Sequence, residues 1–255
     1  MSGDRGRNGW RRAAVGVLLI VAWPVAAAEL TVSAASSLTD GFRDIARAYE
    51  QAHPDTTVAL NFAASGVLLQ QVARGAPVDV LATADTATMD AAASRGLLAD
   101  GSRVVFARNA LWVVVPVAAR RRPARLQDLG GAGIERVAIG NPDSVPAGRY
   151  ARKALLHGGQ WTRLQRQLIQ TQNVRQSLDY VARGEVDAGF VYATDAQAAA
   201  GRVQPAFEVP VGEAIDYPIA TIEGSRQADQ AARFIAFVRS AQGQAILRRH
   251  GFRAP

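Results

Sequence analysis

Two turns decide the fold of this chain: Ala34-Ala35-Ser36-Ser37-Leu38 and Ala63-Ala64-Ser65-Gly66. Each turn follows an apolar, strand-like run, at residues 30–34 or 58–62, and each leads into a helix-like run. We expect a serine at such a junction to cap the helix with its hydroxyl, beside N–H groups that have no acceptor inside the helix. Each strand–serine–helix junction then forms an uncharged binding site for an anion. Two such sites predict that the protein binds a small oxyanion.

The alternation of strands and helices continues along the chain. After the first turn, Leu38, Phe42, Ile45 and Tyr49 recur at helical spacing, which predicts an amphipathic helix. An aspartate, Asp85, stands where it can cap a later helix. Repeated strand–helix–strand units are typical of a mostly parallel sheet that is covered by helices on both faces. The sequence therefore predicts an α/β protein.

Around Val104 the pattern changes, and a second α/β block follows it. The last strand-like run and two closing helices are expected to return to the first block, so that the chain passes between two lobes more than once. A cleft between two lobes is a natural ligand site that can close by hinging. The expected boundaries are 29–107 for the first lobe, 108–212 for the second and 213–255 for the return.

The N-terminal residues have the pattern of an export signal. A basic start is followed by the apolar run 13–23 and by Ala26-Ala27-Ala28, a small-residue cleavage pattern. The run is too short to span a bilayer comfortably. We therefore expect residues 1–28 to be a signal peptide, with mature protein beginning near Glu29. The absence of cysteine excludes disulfides, thiolate metal sites and a lipid-bearing cysteine. A soluble periplasmic protein is expected.

The charge balance excludes one class of partner. The whole chain carries a formal charge of +7, but residues 29–255 hold 25 basic and 21 acidic residues, which is +4. No aromatic-rich basic face accompanies this mild charge, so nucleic acid is not an expected partner. The dense cluster at 120–125 is interpreted as a solvated loop. His53, His157 and His250 lack metal-ligand spacing and are expected to have surface roles.

The motifs together resemble one known family, the periplasmic molybdate-binding proteins that serve ATP-driven (ABC) importers and belong to the type II periplasmic binding proteins. They cover nearly all of the predicted mature chain, and only their combination is specific. They are Ala34-Ala35-Ser36-Ser37-Leu38-Thr39, Phe62-Ala63-Ala64-Ser65-Gly66, Gly75-Ala76-Pro77-Val78-Asp79, Gly140-Asn141-Pro142, Val145-Pro146-Ala147-Gly148, Val174-Arg175, Gly189-Phe190-Val191-Tyr192 with Asp195, Tyr217-Pro218 and Arg249-His250-Gly251-Phe252.

The resemblance implies a two-lobed fold, each lobe a mostly parallel sheet flanked by helices, with the ligand in the cleft between the lobes. It also implies five ligand-binding positions. These are Ser37 and Ser65, through their hydroxyl and amide groups, Tyr192, through its hydroxyl, and Ala147 and Val174, through their main-chain N–H groups. The chain departs from the family where Ala64 and Gly66 flank Ser65, since that motif is often richer in serine, and where Ser36 replaces a common alanine. These departures leave the donors in place but change the expected pocket size.

Such donors suit molybdate or tungstate, which carry no proton at neutral pH. A protonated phosphate would bring an O–H group to a pocket that lacks acceptors, whereas sulfate must be rejected by cavity size. No cofactor is expected, and molybdenum or tungsten would enter only as the bound oxyanion. The partners implied are that anion and the membrane permease of an ABC importer. We expect a monomer and no enzymatic activity.

Three alternatives remain open at this point. Sulfate or thiosulfate capture on the same fold is the nearest. Ferric-iron capture would be expected to use adjacent tyrosines, whereas Tyr180, Tyr192 and Tyr217 are dispersed. A secreted serine hydrolase would need a base for its nucleophile, and neither a G-x-S-x-G elbow nor a histidine near Ser37 or Ser65 is present in the sequence.

Overall fold

The chain folds into two α/β lobes, each built on a five-stranded sheet. The computed structural model describes Met1 and residues 28–255. The predicted signal peptide therefore lies, apart from its two end residues, outside the described residues. Among the residues described, no helix is both long and apolar enough to cross a bilayer.

The strands and helices alternate through most of the chain. The strands are β1 (Ala28–Ala35), β2 (Thr56–Ala63), β3 (Val80–Ala82), β4 (Val104–Asn109), β5 (Leu111–Pro116), β6 (Val137–Gly140), β7 (Leu168–Thr171), β8 (Ala188–Tyr192), β9 (Val203–Glu208) and β10 (Ile215–Thr221). The α-helices are α1 (Thr39–Ala52), α2 (Ser65–Ala73), α3 (Thr86–Ala93), α4 (Pro146–His157), α5 (Trp161–Leu164), α6 (Val174–Ala182), α7 (Ala193–Ala198), α8 (Ala228–Arg239) and α9 (Ala241–Arg249). Two 3-10 turns lie at Ser36–Leu38 and Leu126–Gly130.

The two sheets have equivalent topologies. The first has the order β2-β1-β3-β10-β4, in which β1 pairs in parallel with β2 and β3 while β10 runs antiparallel to β3 and β4. The second has the order β7-β6-β8-β5-β9, in which β5 is the antiparallel strand. Four of the five strands in each sheet therefore share one direction. The predicted α/β class is confirmed, and each sheet is mixed because of a single strand.

Aromatic packing fixes the C-terminal helices on the first sheet. Phe42, on the buried face of α1, lies with its ring centroid 5.6 Å from that of Phe106 in β4 and 6.2 Å from that of Phe234 in α8. Tyr49, two turns further along α1, meets Phe234 edge-on at 5.3 Å. Such tilted and edge-on pairs are favourable beyond the area they bury. The sheet that begins with β1 is therefore completed by residues from the end of the chain.

Glycine allows a very close approach between β6 and α4. A Cβ atom on Gly148 would lie 1.9 Å from the main-chain oxygen of Gly140, and one on Gly140 would lie 2.5 Å from the side chain of Val145. Real Cβ atoms do not approach a main-chain oxygen so closely. The Val-Pro-Ala-Gly motif thus presses the start of α4 against the end of β6, which positions the N–H groups of its first turn.

We predict that Gly148→Ala lowers the free energy of unfolding by about 1–3 kcal/mol or more, because the new methyl group displaces main chain that cannot yield. The matched control is Gly41→Ala in α1, where a Cβ atom would meet only side chains at 3.6 Å or beyond. Gly41→Ala should leave stability unchanged or raise it by up to about 1 kcal/mol, since alanine favours helix. Urea unfolding measures both. Equal stability of the two variants would contradict the packing argument.

Candidate functional site

Ser37 lies in the 3-10 turn between β1 and α1 and is almost completely buried. Its hydroxyl lies 3.0 Å from the phenolic oxygen of Tyr217 in β10. The predicted helix caps are wrong for both serine turns, because the N-cap residues are Ala35, Leu38 and Ala64 and none makes a side-chain cap. The hydroxyl of Ser37 is instead held by a residue distant in sequence.

Ser65 is the first residue of α2 and is fully buried. Its oxygen accepts a hydrogen bond of 3.1 Å from the N–H of Ala84, which follows β3. A serine hydroxyl has one proton to donate and two lone pairs with which to accept. The contact with Ala84 uses a lone pair, so the Ser65 proton remains available for a further acceptor.

Tyr192 ends β8 and brings the second lobe to the same place. Its phenolic O–H donates to the main-chain oxygen of Ala84 across 3.3 Å, and its ring centroid lies 5.7 Å from that of Tyr217. Ala84 therefore touches Ser65 through its N–H and Tyr192 through its oxygen. The structure brings the three predicted hydroxyls, those of Ser37, Ser65 and Tyr192, into one buried network that joins the lobes.

Ala147 and Val174 lie in the first turns of α4 and α6, and both are buried. In α4, Arg149 donates its main-chain N–H to Val145 at 3.0 Å, as the first complete helical turn allows. The N–H of Ala147 precedes that turn and has no acceptor within the helix. In α6, Asn173 caps the N–H of Gln176 at 3.0 Å, two residues after Val174.

These two helix ends face the first lobe. The N–H of Gly66 in α2 donates to the main-chain oxygen of Ser144, just before α4, at 3.0 Å. The α6 helix packs against the 3-10 turn that contains Ser37. The starts of α2, α4 and α6 and that turn therefore converge. Helix N-termini carry partial positive charge and free N–H groups, so their convergence favours an anion.

Burial keeps the two tyrosines at the junction in their protonated form. Loss of solvation raises the pKa of both the Tyr192 and the Tyr217 hydroxyl well above the usual value of about 10. The hydrogen bonds that Tyr217 makes with Ser37 and Asn109 oppose this rise without reversing it. Both phenols therefore remain neutral O–H donors at physiological pH.

Sequence reasoning missed the residues that support this network. Tyr217 belongs to the Tyr217-Pro218 motif, for which the resemblance implies no ligand-binding role. Asn109, at the end of β4, donates to the hydroxyls of both Tyr217 and Thr194, at 3.2 and 2.9 Å. No local pattern signals Asn109, because its partners lie 85 and 108 residues away. The side chain is buried just where the chain passes between the lobes.

Arg149 in α4 forms an ion pair across the cleft with Asp85. Its Nε and Nη2 atoms lie 2.9 and 2.7 Å from the same Asp85 oxygen, and Nη2 also donates to Thr88. The other Asp85 oxygen accepts from the N–H of Thr88, so the predicted cap of α3 is confirmed. Asp85 thus serves both the first lobe and the contact between lobes.

Arg175 in α6 lies between two carboxylates. Its Nη1 donates to Asp40 of α1 at 2.7 Å, across the cleft, and its Nε lies 2.7 Å from Asp195 in its own lobe. Asp195 also accepts from the N–H of Tyr192, the residue just before α7. Burial alone would lower the pKa of Arg175, but the charges of Asp195 and Asp40 raise it. Burial raises the pKa of Asp195, against the effect of Arg175.

A cavity of about 220 Å³ adjoins this ion pair and is lined by Ser37, Asp40, Arg175 and His250, among others. His250 is half-buried, and its Nε2 lies 2.9 Å from Asp44 in α1, which lowers the pKa of Asp44. His53 stacks on Tyr49 at 4.2 Å, so two of the three histidines have structural contacts rather than purely solvated surface positions. Within residues 28–255, no group of three or more acidic or histidine side chains is placed to hold a metal ion.

Comparison with known proteins decides the family. The model of the bacterial extracellular solute-binding proteins matches residues 30–253. The chain belongs to this family. It is 34% identical to the molybdate-binding protein ModA of Escherichia coli (strain K12) over 232 residues, which cover 88% of each chain. It is also 34% identical to ModA of Mycobacterium tuberculosis (strain ATCC 25618 / H37Rv), over 90% of this chain and 86% of that one. The predicted resemblance to molybdate-binding proteins is confirmed.

Solved structures show the same fold. The periplasmic molybdate-binding protein of Azotobacter vinelandii matches with a TM-score of 0.80 at 24% identity, over 89% of this chain and 99% of that one. The sulfate-binding protein SubI of Mycobacterium tuberculosis H37Rv matches with a TM-score of 0.76 at 19% identity, over 89% and 87%. The predicted two-lobed binding-protein fold of this solute-binding family member is therefore confirmed.

Removing the charge of Arg175 should cost more stability than removing the charge of its partly exposed partner, Asp40. We predict that Arg175→Met lowers the free energy of unfolding by about 3 kcal/mol, because Asp195 is then left buried without its counter-charge. Asp40→Asn should cost no more than about 1 kcal/mol, since Asp40 is partly exposed.

Chemical denaturation of both variants, and of Arg175→Met combined with Asp195→Asn, measures this difference. The double variant should recover part of the loss, because no charge remains buried. A double variant that is less stable than Arg175→Met alone would show that the pair is not coupled as described.

Proposed function

We propose that this protein binds molybdate, and tungstate in the same manner, in the cleft between its lobes and delivers it to the membrane permease of an ABC importer. The observation that carries the proposal is a buried cluster of hydroxyls at converging helix N-termini. The Tyr192–Ala84 hydrogen bond and the Tyr192–Tyr217 ring contact join the two lobes at this cluster. The molybdate-binding relatives support the proposal. The proposed donors are the hydroxyls of Ser37, Ser65 and Tyr192 and the N–H groups of Ala147 and Val174. Tyr192 has one O–H proton, so binding would turn this proton from the main-chain oxygen of Ala84 to the anion.

The energetics favour this set of donors. Removing a doubly charged anion from water costs at least several kcal/mol unless its oxygens are hydrogen-bonded. A hydrogen bond to a charged group returns about 1.5–3 kcal/mol, and each helix N-terminus adds about 0.3–1 kcal/mol. Five donors at several helix starts are sufficient on this scale. A free cationic side chain is not needed, and Arg149 and Arg175 are already paired with aspartates.

The same donors distinguish between anions. Hydroxyl and amide N–H groups donate hydrogen bonds to fully deprotonated oxygens, whereas the O–H group of a protonated phosphate needs an acceptor. The tyrosines remain protonated because burial raises their pKa, so they offer a protonated phosphate only neutral hydroxyl lone pairs, which are weaker acceptors than a phenolate. Sulfate meets the same donors as molybdate and must be distinguished by size. The sulfate-binding structural neighbour makes sulfate the second ligand to test.

We propose that the protein performs no chemistry on its ligand. A serine nucleophile needs a base within hydrogen-bond reach. The partner of the Ser37 hydroxyl is the Tyr217 hydroxyl, and that of Ser65 is a main-chain N–H. We further propose export by the N-terminal signal and action as a monomer in the periplasm, where a solute-binding protein meets its permease.

Isothermal titration calorimetry with molybdate, tungstate, sulfate and phosphate tests the ligand class. Molybdate and tungstate should bind tightly with one site per chain, because both present four unprotonated oxygens. Sulfate should bind more weakly, and phosphate should not bind measurably at neutral pH. Tight binding of sulfate without binding of molybdate would overturn the assignment of molybdate as the ligand. If none of the four anions bound, the protein would not be an oxyanion-binding protein.

Single hydroxyl deletions test the site. Ser37→Ala and Tyr192→Phe should each weaken molybdate binding about 10- to 100-fold, since each removes one hydrogen bond to a charged group worth about 1.5–3 kcal/mol. The matched controls are Ser94→Ala, an exposed serine at the end of α3, and Tyr180→Phe in α6, whose hydroxyl contacts Gln176. Calorimetry should show that both controls keep their affinity. Unchanged affinity in the first two variants would place the ligand elsewhere.

A further inference from the structure

Within residues 29–255, the excess of basic over acidic residues lies in one lobe. The segments that form the first sheet and its return, residues 29–109 and 215–255, contain 12 basic and 12 acidic residues. The intervening segment, residues 110–214, contains 13 basic and 9 acidic residues. The net charge of +4 on residues 29–255 therefore belongs to the second lobe. The sequence cluster at 120–125 is only part of this excess.

The strand order places most of this net positive charge at one end of the second lobe. Strand β5 runs antiparallel to β8 and β9, so its carboxyl end lies beside the amino ends of β6, β7, β8 and β9. The connections at this edge carry nine exposed arginines and four carboxylates. We call these arginines the basic pole: Arg120, Arg121, Arg122, Arg125, Arg136, Arg163, Arg166, Arg183 and Arg202.

Contacts between the connections hold the basic pole together. The N–H of Val117 donates to the main-chain oxygen of Arg202 at 3.1 Å, and Arg163 donates to the oxygen of Gly130 at 3.1 Å. A cavity of about 430 Å³ opens between Arg121, Ile134 and Asp187. The three connections that leave β5 and enter β7 and β9 therefore share one surface.

Most of these arginines have no intramolecular counter-charge. Among the ion pairs of residues 28–255, only Arg125 with Asp128 and Arg183 with Glu185 involve the basic pole. Arg183 also follows the end of α6, where a cation complements the helix dipole. That explanation does not extend to Arg120, Arg121 and Arg122, which are exposed in a connection between strands.

We propose that the basic pole binds the phosphate-bearing surface of an anionic phospholipid bilayer. Arginine is the side chain best suited to phosphate oxygens. Protein interfaces depend on large aromatic or aliphatic side chains that become buried on binding. The exposed apolar residue at the basic pole is Val117, whose side chain is too small for this role. A surface of many arginines around such a residue favours a weak, salt-sensitive attachment to lipid headgroups over a specific protein interface. The proposed ligand cleft lies at the opposite edge of the sheet, where Tyr192 ends β8, so attachment leaves it accessible.

Vesicle co-sedimentation tests the proposal with protein purified after secretion, its N-terminus determined by mass spectrometry. Vesicles of phosphatidylcholine with 30% phosphatidylglycerol, at roughly 25 mM salt, should bind the protein, and vesicles of phosphatidylcholine alone should not. Each arginine near an anionic surface contributes about fivefold to binding. The variant Arg120→Gln/Arg121→Gln/Arg122→Gln should therefore bind about 100-fold more weakly. Raising the salt to about 150 mM should also release much of the wild-type protein, because surface charges are screened.

The matched control is Arg95→Gln/Arg226→Gln/Arg233→Gln, which removes the same charge from exposed arginines of the first lobe. Its binding should change by less than about threefold. Saturating molybdate should leave vesicle binding unchanged, so failure of the ligand assignment does not affect this test. Absence of binding to anionic vesicles at low salt, or equal losses of binding in the two triple variants, would overturn the proposal. An acidic protein would then be the partner to test for the basic pole.

Discussion

The structure depends on one constraint: hydrogen-bond donors converge between the lobes, while the charged groups beside them are compensated. An isolated guanidinium at this point would attract any anion, including phosphate. Here Arg149 is paired with Asp85, and Arg175 lies between Asp40 and Asp195. The donors that remain are hydroxyls and helix N-termini, whose direction is fixed. In the proposed site, recognition would then depend on the geometry and protonation of the ligand rather than on its charge alone.

The α/β topology produces this convergence. Parallel strands end at the same edge of a sheet, and each is followed by a helix that begins there. Two sheets of equivalent topology face each other across these edges, so helix starts from both lobes meet. Local sequence adds the detail, because Gly148 lets α4 press against β6 and Tyr192 reaches across to the oxygen of Ala84. The same backbone arrangement supports relatives and neighbours with different named ligands, which is why the fold does not by itself determine the anion.

Sequence patterns predicted the strands and helices with strong periodicity and missed the weak ones. The short apolar run at 188–192 predicts a strand, and β8 has those bounds, because its residues are buried on both faces. The half-exposed strands β7 and β9, at the edges of the second sheet, were not predicted, since only part of each is apolar. The serine positions were predicted, but the helix caps were wrong, because Ser37 and Ser65 bond to Tyr217 and Ala84 instead. Partners so far apart in sequence leave no periodic signal.

The contacts between the lobes adjoin the proposed donors, so that in the proposed site ligand binding and closure would form a single equilibrium. A Cβ atom on Gly66 would lie 2.7 Å from the main-chain oxygen of Ser144, so glycine permits α2 to contact the residues just before α4. Asp85 pairs with Arg149 across the cleft and is adjacent to Ala84, which contacts both Ser65 and Tyr192. The groups that close the lobes are thus neighbours of the groups that would hold the anion. A ligand that binds only the closed form shifts the protein toward it, and a contact that favours closure raises the apparent affinity by the same linkage. In the proposed site, the affinity for the anion would therefore depend on the pairing of Asp85 and Arg149 as well as on the donors themselves.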